Sequence, residues 1–99
     1  MALDTIADRY AEAYFAQARD DGRLPAALAE LQQLRRLIRE VPRLEDFLAN
    51  PEIERAEKRT LLTQACPTLS QQTLALLDLL IANGRVRQFD GVAEAFETR

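Results

Sequence analysis

The chain predicts an all-α fold, a single-domain six-helix bundle, on three observations. Alanine and leucine each occur 16 times, whereas valine and isoleucine together occur only seven times. Ala, Leu, Glu, Gln and Arg favour helices, while strands draw on β-branched and aromatic residues. Apolar residues recur at spacings of three and four, the period of an amphipathic helix. Gly22, Pro25, Pro42, Pro51, Pro67 and Gly84 punctuate the periodic stretches. At 99 residues, the chain has room for one small domain with a thin core.

Six helices are predicted, near residues 4–20, 24–40, 43–49, 53–66, 70–83 and 86–98. Thr5 with Asp8 three residues on resembles a capping box at the start of the first. Asp20-Asp21-Gly22 ends it, because glycine takes the left-handed conformation at no cost. Pro25 suits the first turn of the second helix, where its missing N–H is not needed. Leu24, Leu28, Leu31, Leu34 and Ile38 give that helix one core stripe, with Arg35, Arg36, Arg39 and Glu40 mostly opposite. Ser70 is a candidate N-cap for the fifth helix, and Asn83-Gly84 ends it. In the sixth, Val86, Phe89, Ala93 and Phe96 face inward, and Gly91 weakens the helix by about 1 kcal/mol relative to alanine.

Composition removes several function classes. A net charge of −3 argues against nucleic acid, including a helix-turn-helix DNA reader, because phosphate binding needs a basic face. The chain has no histidine, the commonest general base and metal ligand. Its single cysteine, Cys66, can form no internal disulfide and reads as a semi-buried structural residue, not a nucleophile. No glycine-rich phosphate loop is present, and no cofactor or metal is expected. Glu52, Glu54 and Glu57, interleaved with Arg55, Lys58 and Arg59, read as a solvated helix start favoured by the helix dipole. Arg35, Arg36 and Arg39 read as solvated surface or a minor contact to a partner. No apolar run reaches membrane-spanning length, and Met1 to Asp8 lacks the pattern of a signal peptide. A bacterial-type cytoplasmic location is expected, with no direct membrane insertion.

Two helices are more apolar than a small bundle requires. At 100° per residue, Asp4, Thr5, Asp8, Arg9, Glu12, Arg19 and Asp20 cover roughly 160° of the first helix. Ile6, Ala7, Tyr10, Ala11, Ala13, Tyr14 and Ala18 cover most of the rest. In the fifth helix Leu74, Leu77, Leu80 and Ile81 form one face, and Ala75, Leu76, Leu79 and Ala82 much of the other. Gln71 and Asp78 make a narrow polar strip, and Asp78 is the only charge between Ser70 and Asn83. Two readings stand: the fifth helix is the fully covered centre of the bundle, or one face lines a groove for a partner. Small residues on the first helix beside large ones on the fifth would leave a trough that suits an amphipathic helix.

Ala7-Asp8-Arg9-Tyr10-Ala11-Glu12-Ala13-Tyr14-Phe15 resembles the opening helix of the delta subunit of bacterial F-type ATP synthases, the oligomycin sensitivity-conferring protein family. Phe47-Leu48-Ala49-Asn50-Pro51, Ile53, Lys58 and Leu61-Leu62 are similar to that family's third and fourth helices, and Asn83-Gly84-Arg85 to its turn after the fifth. The resemblance runs in order along essentially the whole chain. Tyr14 departs from it, standing where a smaller aliphatic is usual, as does Val86 where leucine is common.

The resemblance implies a non-catalytic stator component that binds the N-terminal helix of an alpha subunit in a groove between helices one and five. It implies Tyr10, Ala13, Leu79 and Asn83 as groove residues; helical spacing adds Ala7, Ala11, Tyr14, Ala75 and Leu76. Asn83 also reads as a helix cap, and Tyr10 as plain core. The family continues into a second domain that engages the peripheral stalk b subunit, so the chain reads as its N-terminal domain, with Met1 a natural start. Such a protein would sit peripherally on the cytoplasmic face of the inner membrane. The alternative is a generic helical adaptor or regulatory bundle that binds an amphipathic helix or homodimerises through helix five.

Overall fold

The computed structural model describes residues 5–99. It contains α1 (Thr5–Asp20), α2 (Leu24–Glu40), α3 (Pro42–Ala49), α4 (Arg55–Ala65), α5 (Gln71–Ala82), a 3-10 turn (Val86–Gln88) and α6 (Phe89–Glu97). Every predicted helix is present, and no strand occurs among the described residues. The predicted start of the first helix at Asp4 lies outside the described residues.

The helix ends follow local chemistry. Gly22 and Gly84 have φ of 68° and 67°. Each sits in a double hydrogen-bonded cap: Arg23 N–H donates to Ala18 O and Gly22 N–H to Arg19 O, and Arg85 N–H donates to Leu80 O and Gly84 N–H to Ile81 O. Ser70 Oγ accepts the Thr73 N–H at 3.2 Å, the N-cap expected of it.

Several boundaries differ from expectation by one to three residues. Pro42 is the first residue of α3, because position N1 needs no donor. α4 starts at Arg55 and not near 53, because the Asn50 side chain accepts the Glu52 N–H at 2.9 Å and holds residues 50–53 in a turn. α4 ends at Ala65, since Pro67 keeps Cys66 out of the helical region. The sixth helix opens with a 3-10 turn, in which side chains three apart eclipse. That geometry brings Val86 and Phe89 into the core together.

α6 lies against α1 and α2, and α4 packs on α5. Phe96 sits between Tyr14 and Phe15, with ring centroids 5.6 and 5.3 Å away in tilted geometry. Leu31, Leu34, Leu48, Leu62, Leu77, Leu80 and Val92 complete the centre.

Ion pairs tie the helices at the rim and correct two surface readings. Arg35 is not solvated: it donates to Asp90 at 2.8 Å and to Glu97 at 2.7 Å, joining α2 to α6. Lys58, expected on a solvated helix start, is 3% exposed, because it falls on the buried face of α4, one turn before Leu62. Arg87 bridges to Glu45 and Asp46 on α3 at 3.2 Å. Arg59 on α4 pairs with Asp78 and donates to Gln71 at 2.9 Å, so the polar strip of α5 is the edge that meets α4. Cys66 is buried and unbridged, and burial pushes its thiol pKa up.

Candidate partner-binding groove

α5 is too apolar for the cover it receives. Thr73, Leu74, Leu76, Leu77 and Leu80 are buried. Ala75, Leu79 and Ala82 remain exposed, so α5 is not the fully covered centre of the bundle. Leu79 is 49% exposed and, with Val41, is one of two exposed large hydrophobic residues among those described.

Beside this face runs α1, and between the two helices lies a trough of about 170 Å³. Tyr10, Ala13, Tyr14 and Gln17 line it from α1, and Gln72, Ala75, Leu76 and Leu79 from α5. The lining carries no charged side chain. Of the residues singled out in the sequence, Tyr10, Ala13, Tyr14, Ala75, Leu76 and Leu79 therefore meet in one place.

Asn83 stands at the end of α5 and joins this group through Tyr10. Its Nδ2 donates to the Tyr10 hydroxyl at 2.7 Å, while its backbone N–H donates to Leu79 O as the helix cap. The two readings of Asn83 are thus compatible, since cap and side chain use different atoms. Tyr10 keeps a half-buried ring with its hydroxyl at the surface.

Ala7 and Ala11 are a correction to the geometry. They are 1% and 0% exposed and face the core, not the trough. Ala7, Ala11, Tyr14 and Ala18 form the buried stripe of α1. Tyr10, Ala13 and Gln17 form a neighbouring stripe about 90° away at 100° per residue. The small residues of the buried stripe admit close packing, and the trough is lined by the neighbouring stripe together with Tyr14. Spacing had not singled out Gln17 and Gln72. The signal was there, because Gln17 is four after Ala13 and Gln72 is three before Ala75.

A buried polar relay closes the floor. The Tyr14 hydroxyl lies 2.5 Å from Thr73 Oγ1, and Thr73 in turn donates to Glu30 of α2. A carboxylate only accepts, so the Thr73 proton goes to Glu30 and Tyr14 is the donor to Thr73. Ser70 Oγ also donates to Glu30, at 2.9 Å, and accepts from Arg23 at 2.7 Å. Arg23 pairs with Glu30 at 3.5 Å. Tyr14, the departure from the family pattern, is therefore a satisfied polar group joining α1, α5 and α2.

The trough offers apolar surface, two amides and the Tyr10 hydroxyl. Among the described residues there is no cluster of potential metal ligands, and no helix is long and apolar enough to cross a membrane.

The family model described as ATP synthase delta (OSCP) subunit matches residues 6–99. An ATP synthase subunit delta of Lactiplantibacillus plantarum is 34% identical, covering 100% of this chain and 56% of its own length. Those of Desulforudis audaxviator and Shouchella clausii are 33% and 30% identical over 97% and 98% of this chain, and 53% and 54% of their own lengths. The chain spans about half the length of these relatives. With a family match over nearly its whole length, the chain belongs to the ATP synthase delta (OSCP) subunit family.

Proposed function

We propose that this chain is the head-binding part of a non-catalytic stator subunit, holding the N-terminal helix of an ATP synthase alpha subunit in the trough between α1 and α5. The observation that carries this reading is the uncharged trough itself, with Leu79 half exposed on its wall. An amphipathic helix presenting aliphatic residues at i, i+3, i+4 and i+7 would cover that surface. The clamp resists rotor torque, and its physical requirement is a slow dissociation rate. Contact with the peripheral stalk b subunit belongs to the second domain of the family. The whole would work peripherally on the cytoplasmic face of the membrane.

A docked helix would bury on the order of 800 Å² per partner. Ordering a flexible tail opposes binding, so a few central anchors carry the affinity. Calorimetric titration of the 99-residue chain with the N-terminal alpha-subunit peptide tests the proposal. One-to-one binding, with chemical-shift changes confined to α1 and α5, is expected. No binding, or shifts elsewhere, would overturn it. Self-association through α5 makes the opposite forecast: a dimer in sedimentation equilibrium that Leu79→Asp dissolves.

A further inference from the structure

The two walls of the trough do not pack directly on each other. α1 packs mainly on α6, and α5 meets α4, α2 and the 3-10 turn, whereas α1 and α5 hardly approach each other along their backbones. Two tyrosines of α1 cross the gap instead. The Tyr10 hydroxyl accepts from Asn83 Nδ2 at 2.7 Å, and the Tyr14 hydroxyl donates to Thr73 Oγ1 at 2.5 Å. The apolar lining falls between these two ties along the chain: Ala13 on α1, and Ala75, Leu76 and Leu79 on α5.

The ties differ in strength. Tyr10–Asn83 is exposed and competes with water. Tyr14–Thr73 is buried, its residues 3% and 0% exposed, and Glu30 holds Thr73 from behind.

We propose that the Tyr14–Thr73 bond is a positioning element that fixes the separation of α1 and α5 before the partner arrives, and so raises affinity without touching the partner. This rests on the reading of the trough as a helix-docking site. A helix laid between two walls contacts both. Walls that move independently must be ordered at the moment of binding, and that loss of freedom opposes association. A buried hydrogen bond across the gap removes the freedom in advance. Thr73 has no exposed surface from which to meet a partner, so its hydroxyl acts on binding only through the geometry of the walls. Tyr14 departs from the family pattern, which makes this brace a property of this chain.

The test uses the 99-residue chain and the N-terminal alpha-subunit peptide. Tyr14→Phe keeps the ring against Phe96 and removes the bond alone. It should remain helical by circular dichroism and bind the peptide about three- to tenfold more weakly in calorimetry, the worth of one hydrogen bond. Thr73→Val should weaken binding in the same direction. Thr73→Ser keeps the hydroxyl and should restore affinity to within about twofold of wild type. A merely structural bond would lower the urea midpoint and leave the affinity of the folded chain alone. Relaxation dispersion separates the two roles further. The free wild-type chain should show no millisecond exchange at Ala13, Gln17, Ala75 and Leu79. Free Tyr14→Phe should show it there, and saturation with peptide should quench it. Unchanged affinity in Tyr14→Phe overturns the inference and leaves the docking reading standing, as does a Thr73→Ser chain no better than Thr73→Val. Equal exchange in the two free chains overturns it too. A wild-type chain that binds no peptide overturns both readings.

Discussion

Leu79 and Phe96 show how one property, apolarity, serves two ends. Phe96 is buried between the rings of α1, and Leu79 stands half in solvent on the trough wall. Phe96→Ala should lower stability by about 3–5 kcal/mol, read as a shift of the urea midpoint. Leu79→Asp should lower stability by only about 1–2 kcal/mol and leave the chain folded, because about half of the side chain is already in solvent. The same substitution would place a charge under the docked helix and should weaken alpha-peptide binding by about 100-fold or more in calorimetry. A Leu79→Asp chain that binds normally would show that the helix docks elsewhere. Spacing alone identified Leu79, Ala75 and Tyr10 as surplus apolar surface. It could not separate them from Ala7 and Ala11, because on the apolar side of α1 no polar residue falls between the stripe of Ala7 and Ala11 and that of Tyr10.

At the level of elements, α6 depends on charges as well as on its apolar stripe. The Arg35 guanidinium, hydrogen-bonded to Asp90, holds that carboxyl below the usual carboxylate range. A carboxyl whose pKa is depressed on folding contributes stability above its unfolded pKa and loses it as pH falls through the folded value. Melting temperature should therefore drop as pH falls below about 4, and Asp90→Asn should flatten that part of the profile. A profile identical in the variant would show the pair to be without effect. The end of α5 is set by backbone geometry instead. Gly84 has positive φ, with open space where a Cβ would go, so the cost of Gly84→Ala is conformational only. Chemical denaturation should register a loss of about 1–2 kcal/mol. Both glycine stops were legible as dipeptide signals. The partners of Arg35 were not, since Asp90 and Glu97 lie 55 and 62 residues away along the chain.

The whole molecule has a Cα radius of gyration of 12.7 Å and extents of 33 × 32 × 23 Å. A body of this size cannot wrap α5 completely, and the exposed Ala75, Leu79 and Ala82 are the consequence. α1 meets the same constraint differently: α6 packs against it and covers its small residues, leaving Tyr10, Ala13 and Gln17, with Tyr14, to the trough. Because the trough lining is uncharged, binding of the alpha-subunit peptide should change by less than about threefold between low salt and a salt concentration where the Debye length is near 3 Å. A steep loss of affinity with salt would mean that charged residues outside the trough hold the partner.

The sequence by itself determined the helices, their stops at Gly22 and Gly84, the cap at Ser70 and the surplus of apolar surface on α1 and α5. These follow from local propensity and from a period of about 3.6 residues, which short stretches of chain carry in full. Tertiary structure alone decided which apolar stripe was covered. It also joined Tyr14 to Thr73, 59 residues away, and through it to Glu30, and it turned the polar strip of α5 toward Arg59. Those outcomes depend on which helix lies beside which, and a helical period specifies a face without naming its neighbour.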